Sequence, residues 1–458
     1  MSITQDPYAQ RFGCTFIEGG GVTSARGFTA AGVHAGFKAD PAKLDLALVV
    51  ADEPCAAAGV FTRNVFCAAP VQVCRERLNE SGDASASYGT ARAVVVNSGG
   101  ANAATGEPGR AAAREEARIV GAAVGCPEDE VLMASTGVIG VHLPLDPFRT
   151  GVPAALEAAR TLSAAEGGAS AARAIMTTDT HPKECAVTFT GDGVGYDGVT
   201  FTVGGMAKGS GMIMPNMATM IAVITTDAPV AAPHLHAALK RAVDVSFNKI
   251  TVDSDTSTND SCFCLASGAA ARTEAAADAS AEAACGSASP VSPASPALQP
   301  FDPESPAFAR FQDALMQVCT ALARAMATDG EGATRLVTVN VRGAASGADA
   351  DAAARTVANS PLVKTAIYGH DANWGRVAAA LGRSGARFAQ EDADIDILGL
   401  PVCRAGLTVP FDEDEALARF EAPEVVIDAD LHAGSAAATV WTCDFSHEYV
   451  SINGDYRS

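Results

Sequence analysis

Residues 205–227 hold the run with the clearest chemical potential. They read Gly-Met-Ala-Lys-Gly-Ser-Gly-Met-Ile-Met-Pro-Asn-Met-Ala-Thr-Met-Ile-Ala-Val-Ile-Thr-Thr-Asp. A glycine-rich loop carrying one cation, Lys208, leads into the turn signal Pro215-Asn216. Met217-Ala218-Thr219 then enters a β-branched run ending at Ile224. A threonine at the mouth of a buried strand, after a small residue, can be released as an N-terminal nucleophile. In such an N→O acyl shift, Thr219 Oγ attacks the Ala218 carbonyl, and water hydrolyses the resulting ester. The new α-amine would have an ordinary pKa of about 7.7–8.0, suited to a general base near neutral pH. It sits on the nucleophile itself, so no separate histidine is needed. The residues alone leave a second reading open, in which Thr219 is an ordinary strand threonine.

Other patterns fail on spacing. Asp253-Ser254-Asp255-Thr256-Ser257-Thr258-Asn259-Asp260 starts like a calcium loop, but the sixth and twelfth positions are Thr258 and Cys264 instead of Gly and Glu. Its Asp253, Asp255 and Asn259 suit side-chain-to-backbone hydrogen bonds instead. Gly209 interrupts the Lys208/Ser210 order that a phosphate loop requires. The 12 cysteines are dispersed, with no Cys-x-x-Cys pair, and the eight histidines do not cluster with them, so no metal site is expected. Dispersed thiols in a long chain favour a reduced, cytoplasmic protein.

The elements expected to position these residues alternate. Asp45–Val60 reads as strand, turn, strand, and Ala93–Val96 as a buried strand emptying into a turn over 97–102. Gly109–Val124 has helical periodicity, and 155–175 is Ala-rich and helical in character. Val187-Thr188-Phe189 and 199–203 suggest a hairpin around a glycine-rich turn. Pro233–Val245 and Ala314–Thr328 read as amphipathic helices. Alternation of this kind marks an α/β chain. Between the last two helices, 269–307 is biased to Ala, Ser, Pro and Glu, and reads as a flexible surface insertion.

The chain has 458 residues with a net charge of −21 and 48% hydrophobic residues, enough for two or three packed units. Clustered Lys/Arg is lacking, which argues against nucleic acid and anionic membrane surfaces as partners. Residues 1–14 have no basic stretch followed by an apolar one, so no secretory leader is expected, and no stretch reaches 18 apolar residues. Gln390–Asp430 holds twelve acidic residues against Arg404 and Arg419, as on the solvated face of a strand-rich unit.

Seven stretches, in one order, carry a resemblance. Besides 208–220, they are Ala57–Asn64, Ala134–Gly140, Ile175–Thr180, Asp329–Thr334, Ser360–Ala366 and Gly369–Arg376, and the terminus Asn453–Ser458 fits with them. The chain resembles the ornithine acetyltransferase (glutamate N-acetyltransferase) family from about residue 15 to its last residue. Two departures stand out: Gly100 replaces the asparagine usual there, and 269–307 is extra. Because Gly and Asn both accept positive φ, the turn at Gly100 should tolerate the change.

The resemblance implies autocleavage between Ala218 and Thr219. An α chain, 1–218, would hold the main domain. A β chain, 219–458, would complete it (about 219–345) and add a smaller C-terminal domain (about 346–458). The implied fold is an α/β layered sandwich like that of N-terminal-nucleophile hydrolases. The implied reaction moves an acetyl group from N2-acetyl-L-ornithine to L-glutamate through acetyl-Thr219. No cofactor is required, and acetyl-CoA is a possible second donor. Thr136 and Gly137 match the oxyanion hole. Thr177, Lys208, Thr219, Glu331, Asn453 and Ser458 match substrate-binding positions, with Thr178 as the register alternative to Thr177. Partners would be the two small substrates and the chain's own halves, in a heterotetramer of two α and two β.

Each assignment has a plainer counterpart. Thr136 can cap a turn, Lys208 can be a solvated lysine, and Glu331 can be a helix-flanking charge. Asn453 and Ser458 can belong to a frayed end. Trp374 and His370 resemble family residues without an evident role, and His370 suits a structural one. The competing activity is an N-terminal-nucleophile aminopeptidase or amidase that uses water as acceptor.

Overall fold

The computed structural model describes residues 3–83, 85–214, 220–272 and 299–455. Ile221–Thr226 (β8) is buried at all six positions, as its uninterrupted apolar and β-branched run requires of a strand covered on both faces. It joins Thr15–Ile17 (β1), Phe28–Val33 (β2), Leu46–Phe61 (β3), Tyr88–Gly100 (β4), Val131–Val138 (β5), Lys183–Thr190 (β6), Thr200–Lys208 (β7) and Ser261–Ala266 (β9) in a nine-stranded sheet. The order is β1-β6-β7-β8-β9-β3-β4-β5, with β2 paired to β3. β6 and β7 are the expected hairpin, paired from Lys183–Ala207 to Thr190–Thr200.

Alternate residues of the central strands feed two different cores. Ala222 and Ile224 pack with the helices Ala232–Val245 and Pro306–Thr328. Ile221 and Val223 belong to the core that gathers the helices Ala69–Arg77, Gly106–Val124, Asp146–Thr161 and Ala164–Ala174. A period of two along a strand gives this division, and the result is the layered α/β arrangement expected.

Several local expectations change. The stretch read over Asp45–Val60 forms one 16-residue strand, Leu46–Phe61, not two. Asp52, Glu53 and Pro54 are exposed at a register shift between Val50 and Cys55, so the residues that resemble a turn form a bulge within the strand. The helical stretch 155–175 divides in two. Ser163 starts the second helix with a capping box, accepting from Glu166 N while Glu166 Oε2 accepts from Ser163 N at 3.0 Å. Positive φ falls on Gly99 (+127°) and Asn102 (+48°) and not on Gly100, so Gly100 is tolerated there without any demand for a left-handed residue.

Leu336–Ala344 (β10), Asp394–Ile397 (β11), Leu400–Arg404 (β12), Leu407–Thr408 (β13), Glu424–Asp430 (β14) and Ala436–Cys443 (β15) form a second sheet, ordered β13-β12-β11-β14-β10-β15. With the helices Gly347–Ala358, Pro361–Tyr368 and Trp374–Gly382 it encloses its own core. This smaller α/β unit begins at Leu336, ten residues before the expected boundary near 346, because β10 pairs with β14 and β15. Trp441 and Cys443 on β15 nevertheless pack into the larger unit's core. Arg324 reaches across as well, donating to Glu424 Oε2 at 3.0 Å.

Most of the stretch read as a flexible insertion lies outside the described residues. Its two ends are structured: Ala270 and Phe301 are buried, and Ser305 caps the helix Pro306–Thr328 by accepting from Phe308 N. The cut position, Ala218/Thr219, also lies outside. The eleven described cysteines are unpaired. No helix among the described residues is long and apolar enough to cross a membrane.

Candidate active site

Six of the expected site residues line one cavity of about 750 Å³, its open mouth included: Thr136, Gly137, Thr177, Lys208, Glu331 and Asn453. Thr178, the register alternative, lines it too. Ala218, Thr219 and Ser458 lie outside the described residues. Met220 and Ile221, which follow Thr219 in the chain, form part of the wall.

Thr136 and Gly137 lie just before Val138, the last residue of β5. Gly137 has φ +133°, and a Cβ there would stand 2.5 Å from the Gly99 carbonyl carbon on β4. Only glycine fits this conformation and this approach. Lys208 ends β7, is buried, and its Nζ is 3.5 Å from Thr136 Oγ1. Burial lowers the Lys208 pKa, and Asp179 opposes that shift most strongly. The solvated-lysine reading is therefore set aside.

A buried ion network lies beneath this wall. Lys183 Nζ donates to Asp179 Oδ1 at 2.7 Å and to Asp329 Oδ2 at 2.6 Å. Asp179 Oδ1 also accepts from Gly209 N at 2.8 Å, and its Oδ2 from Thr177 N at 3.1 Å. Burial by itself would raise the Asp179 carboxyl, but Lys183 and Lys208 hold it well below the usual carboxylate range. One lysine and two aspartates thus fix the segments that carry Thr177, Lys208 and Glu331.

Glu331 follows the helix Pro306–Thr328. Its amide donates to Ser210 O at 3.0 Å. Its carboxylate lies against Gly211, where a Cβ would fall 2.3 Å from the Glu331 carboxyl carbon. Asn453, on the terminal helix His447–Asp455, donates to Glu331 Oε2 at 2.8 Å. The C-terminal segment is thereby held at the cavity.

Asp253 and Asn259 make the side-chain-to-backbone bonds their surroundings suggested. Asp253 Oδ1 accepts from Ile213 N at 2.8 Å, and Asn259 Nδ2 donates to Ser135 O at 2.8 Å. Asn259 thus tethers the strand just before Thr136. His370 and Trp374 belong to the smaller unit and not to this cavity. The His370 ring stacks on Phe420 with centroids 5.6 Å apart, a packing role.

Asp260 escaped the sequence reading. It is 2% exposed, lines the cavity, and its Oδ2 has no hydrogen-bond partner among the described residues. Burial pushes its carboxyl well above the usual carboxylate range, against the pull of Ser257, Lys208 and the Met220 amide. The available signal was an aspartate set directly against the fully buried strand β9. Such a group needs either a partner or a use.

The ArgJ family model matches residues 29–458. The chain is 48% identical to the arginine biosynthesis bifunctional protein ArgJ of Symbiobacterium thermophilum over 440 residues, which is 96% of this chain and 99% of that protein. It is 46% identical to the protein of the same name from Thermosynechococcus vestitus, over 96% of this chain and 98% of the other. Among solved structures, an ornithine acetyltransferase from Mycobacterium tuberculosis, complexed with ornithine, is 43% identical. That match covers 44% of this chain and 98% of the other, with a TM-score of 0.39. With a family model spanning nearly its whole length and relatives of nearly half its residues, the chain belongs to the ArgJ family.

Proposed function

We propose that the protein transfers an acetyl group from N2-acetyl-L-ornithine to L-glutamate, the ornithine acetyltransferase step of arginine biosynthesis. The observation that carries this reading is one cavity holding a buried cation, Lys208, on one wall and the Glu331–Asn453 pair on another. Amino-acid substrates present a carboxylate and an amine, and these walls are complementary to both. A hydrolase with water as acceptor has no need of a second site for an amino acid.

In this mechanism the chain cuts itself between Ala218 and Thr219. Thr219 Oγ attacks the acetyl carbonyl of acetylornithine, and ornithine leaves with the proton. The amino group of glutamate then attacks the acetyl ester and restores Thr219. Thr136 Oγ1 and the Gly137 amide stabilise the oxyanion of both tetrahedral intermediates. Lys208 meets a substrate carboxylate, Glu331 the amine, and Thr177, Asn453 and Ser458 complete the binding positions. An amide exchanged for an amide through an ester needs no cofactor. Acetyl-CoA in place of acetylornithine would give the second activity that the relatives' name, bifunctional, suggests. The cut halves pair as a cytoplasmic heterotetramer of two α and two β.

Intact-mass spectrometry tests the cut: two species, 1–218 and 219–458, are expected, and a single uncut chain from Thr219→Ala. Acetylornithine turnover with and without glutamate tests the transfer. Equal consumption without glutamate would overturn it.

A further inference from the structure

The oxyanion pair Thr136-Gly137 proposed above stands where its own sheet is least regular. The β4–β5 register shifts between Gly99 and Gly100, and Gly100 pairs with both Thr136 and Val138. Gly99 and Gly137 both take positive φ at this point. A broken ladder flanked by glycines is a soft frame for two donors that must meet one oxyanion. A misplacement of about 1 Å can cost about 10²-fold in rate.

Asn259, a buried residue of the cavity wall just before β9, ties this region together from a third segment. Its Nδ2 donates to Ser135 O at 2.8 Å and to Ala101 O at 2.5 Å. Ala101 N in turn donates to Val138 O at 3.1 Å. One amide group therefore closes a loop around Thr136-Gly137. It grips the residue before the pair directly and the residue after it through Ala101. Thr258 Oγ1 donates to Asn259 Oδ1 at 2.6 Å. A reversed amide would set its own carbonyl against two others, so the orientation is fixed. Both amide hydrogens are used, and none is left for a substrate. The base of this tether is itself held: Thr62 Oγ1 donates to Ser257 O at 2.7 Å, and Ala68 N to Thr258 O at 2.9 Å.

We propose that Asn259 is the positioning residue of the oxyanion hole: its side-chain amide, oriented by Thr258, holds Thr136 Oγ1 and the Gly137 amide at a fixed spacing. Asn259 acts through these two donors and not on the substrate. Its loss leaves the binding residues Lys208, Glu331 and Asn453 in place, because none of them is hydrogen-bonded to it. The effect therefore falls on the chemical step and spares substrate binding. The inference rests on the acetyl transfer and the oxyanion roles proposed above.

The test is a double-mutant cycle in steady-state acetyl transfer, on full-length protein checked for folding by thermal unfolding and for cutting by intact mass. Asn259→Leu, of similar size but without the amide, should lower kcat about 10²-fold with the KM of both substrates nearly unchanged. Combined with Thr136→Val, it should lose little beyond the larger single loss, because both changes disable one device. If the parent transfers no acetyl group from acetylornithine to glutamate, the functional reading falls and this inference with it. If the parent is active, the role of Asn259 alone falls on any of three results. These are a kcat for Asn259→Leu within about threefold of the parent, a raised KM in place of a lowered kcat, or single losses that multiply in the double variant. Should Asn259→Leu or the double variant fail to fold or to be cut, Thr258→Val decides. A kcat lowered about fivefold at unchanged KM, the scale of one hydrogen bond, supports the role, and an unchanged kcat overturns it.

Discussion

Asn453 Nδ2 donates to Glu331 Oε2 at 2.8 Å, joining a helix near the end of the chain to an acidic turn 122 residues earlier. That contact completes one wall of the cavity from two units, since Glu331 follows the long helix of the larger unit and Asn453 follows the smaller sheet. Loss of either partner should act on substrate binding before it acts on chemistry. Asn453→Ala should raise the KM for acetylornithine about tenfold, the scale of a hydrogen bond to a charged group, with kcat changed far less. Steady-state kinetics at saturating glutamate checks this.

Lys208 gives a pH signature. Burial lowers its pKa below the ordinary 10.5, so the ammonium form is lost at lower pH than for an exposed lysine. The sign follows: the KM for glutamate should stay flat on the acid side of the lowered pKa and climb as pH rises through it. Lys208→Met should raise that KM at all pH values and remove the climb. A pH series of initial rates for both proteins is the measurement.

Thr136→Val keeps the β-branched shape and removes one hydroxyl donor. If Thr136 Oγ1 serves the oxyanion, kcat for acetyl transfer should fall by about 10²–10³ while thermal stability barely moves. Turnover and melting measured on one preparation separate these effects.

Gly137 is fixed by geometry. With φ +133° and a Cβ position 2.5 Å from the Gly99 carbonyl carbon, Gly137→Ala should destabilise the protein by about 3 kcal/mol or more. Chemical denaturation reports the loss.

Lys183 is wholly buried and neutralises Asp179 and Asp329. Lys183→Met strands two buried carboxylates, with an expected loss of about 3–5 kcal/mol. Asp179 and Asp329 also hold Gly209 and Thr180, so residual activity should show a raised KM for both substrates.

The sequence by itself determined the alternation of strands and helices, because period and capping are set by neighbours along the chain. The β6–β7 hairpin and the helix over Ala232–Val245 were legible in that way. So were the motifs carrying Thr136, Lys208 and Glu331, as short runs in a fixed order. Where the local signal was ambiguous, packing decided it: Asp52-Glu53-Pro54 looks like a turn, yet the pairing of β3 with β4 on both sides carries the strand through. Tertiary structure alone decided the electrostatics. Lys183 meets Asp329 across 146 positions and Asn453 meets Glu331 across 122. Asp260 became conspicuous only once its surroundings were dry and its Oδ2 without a partner among the described residues. Desolvation and pairing depend on which distant residues close over a group, and no local pattern encodes that.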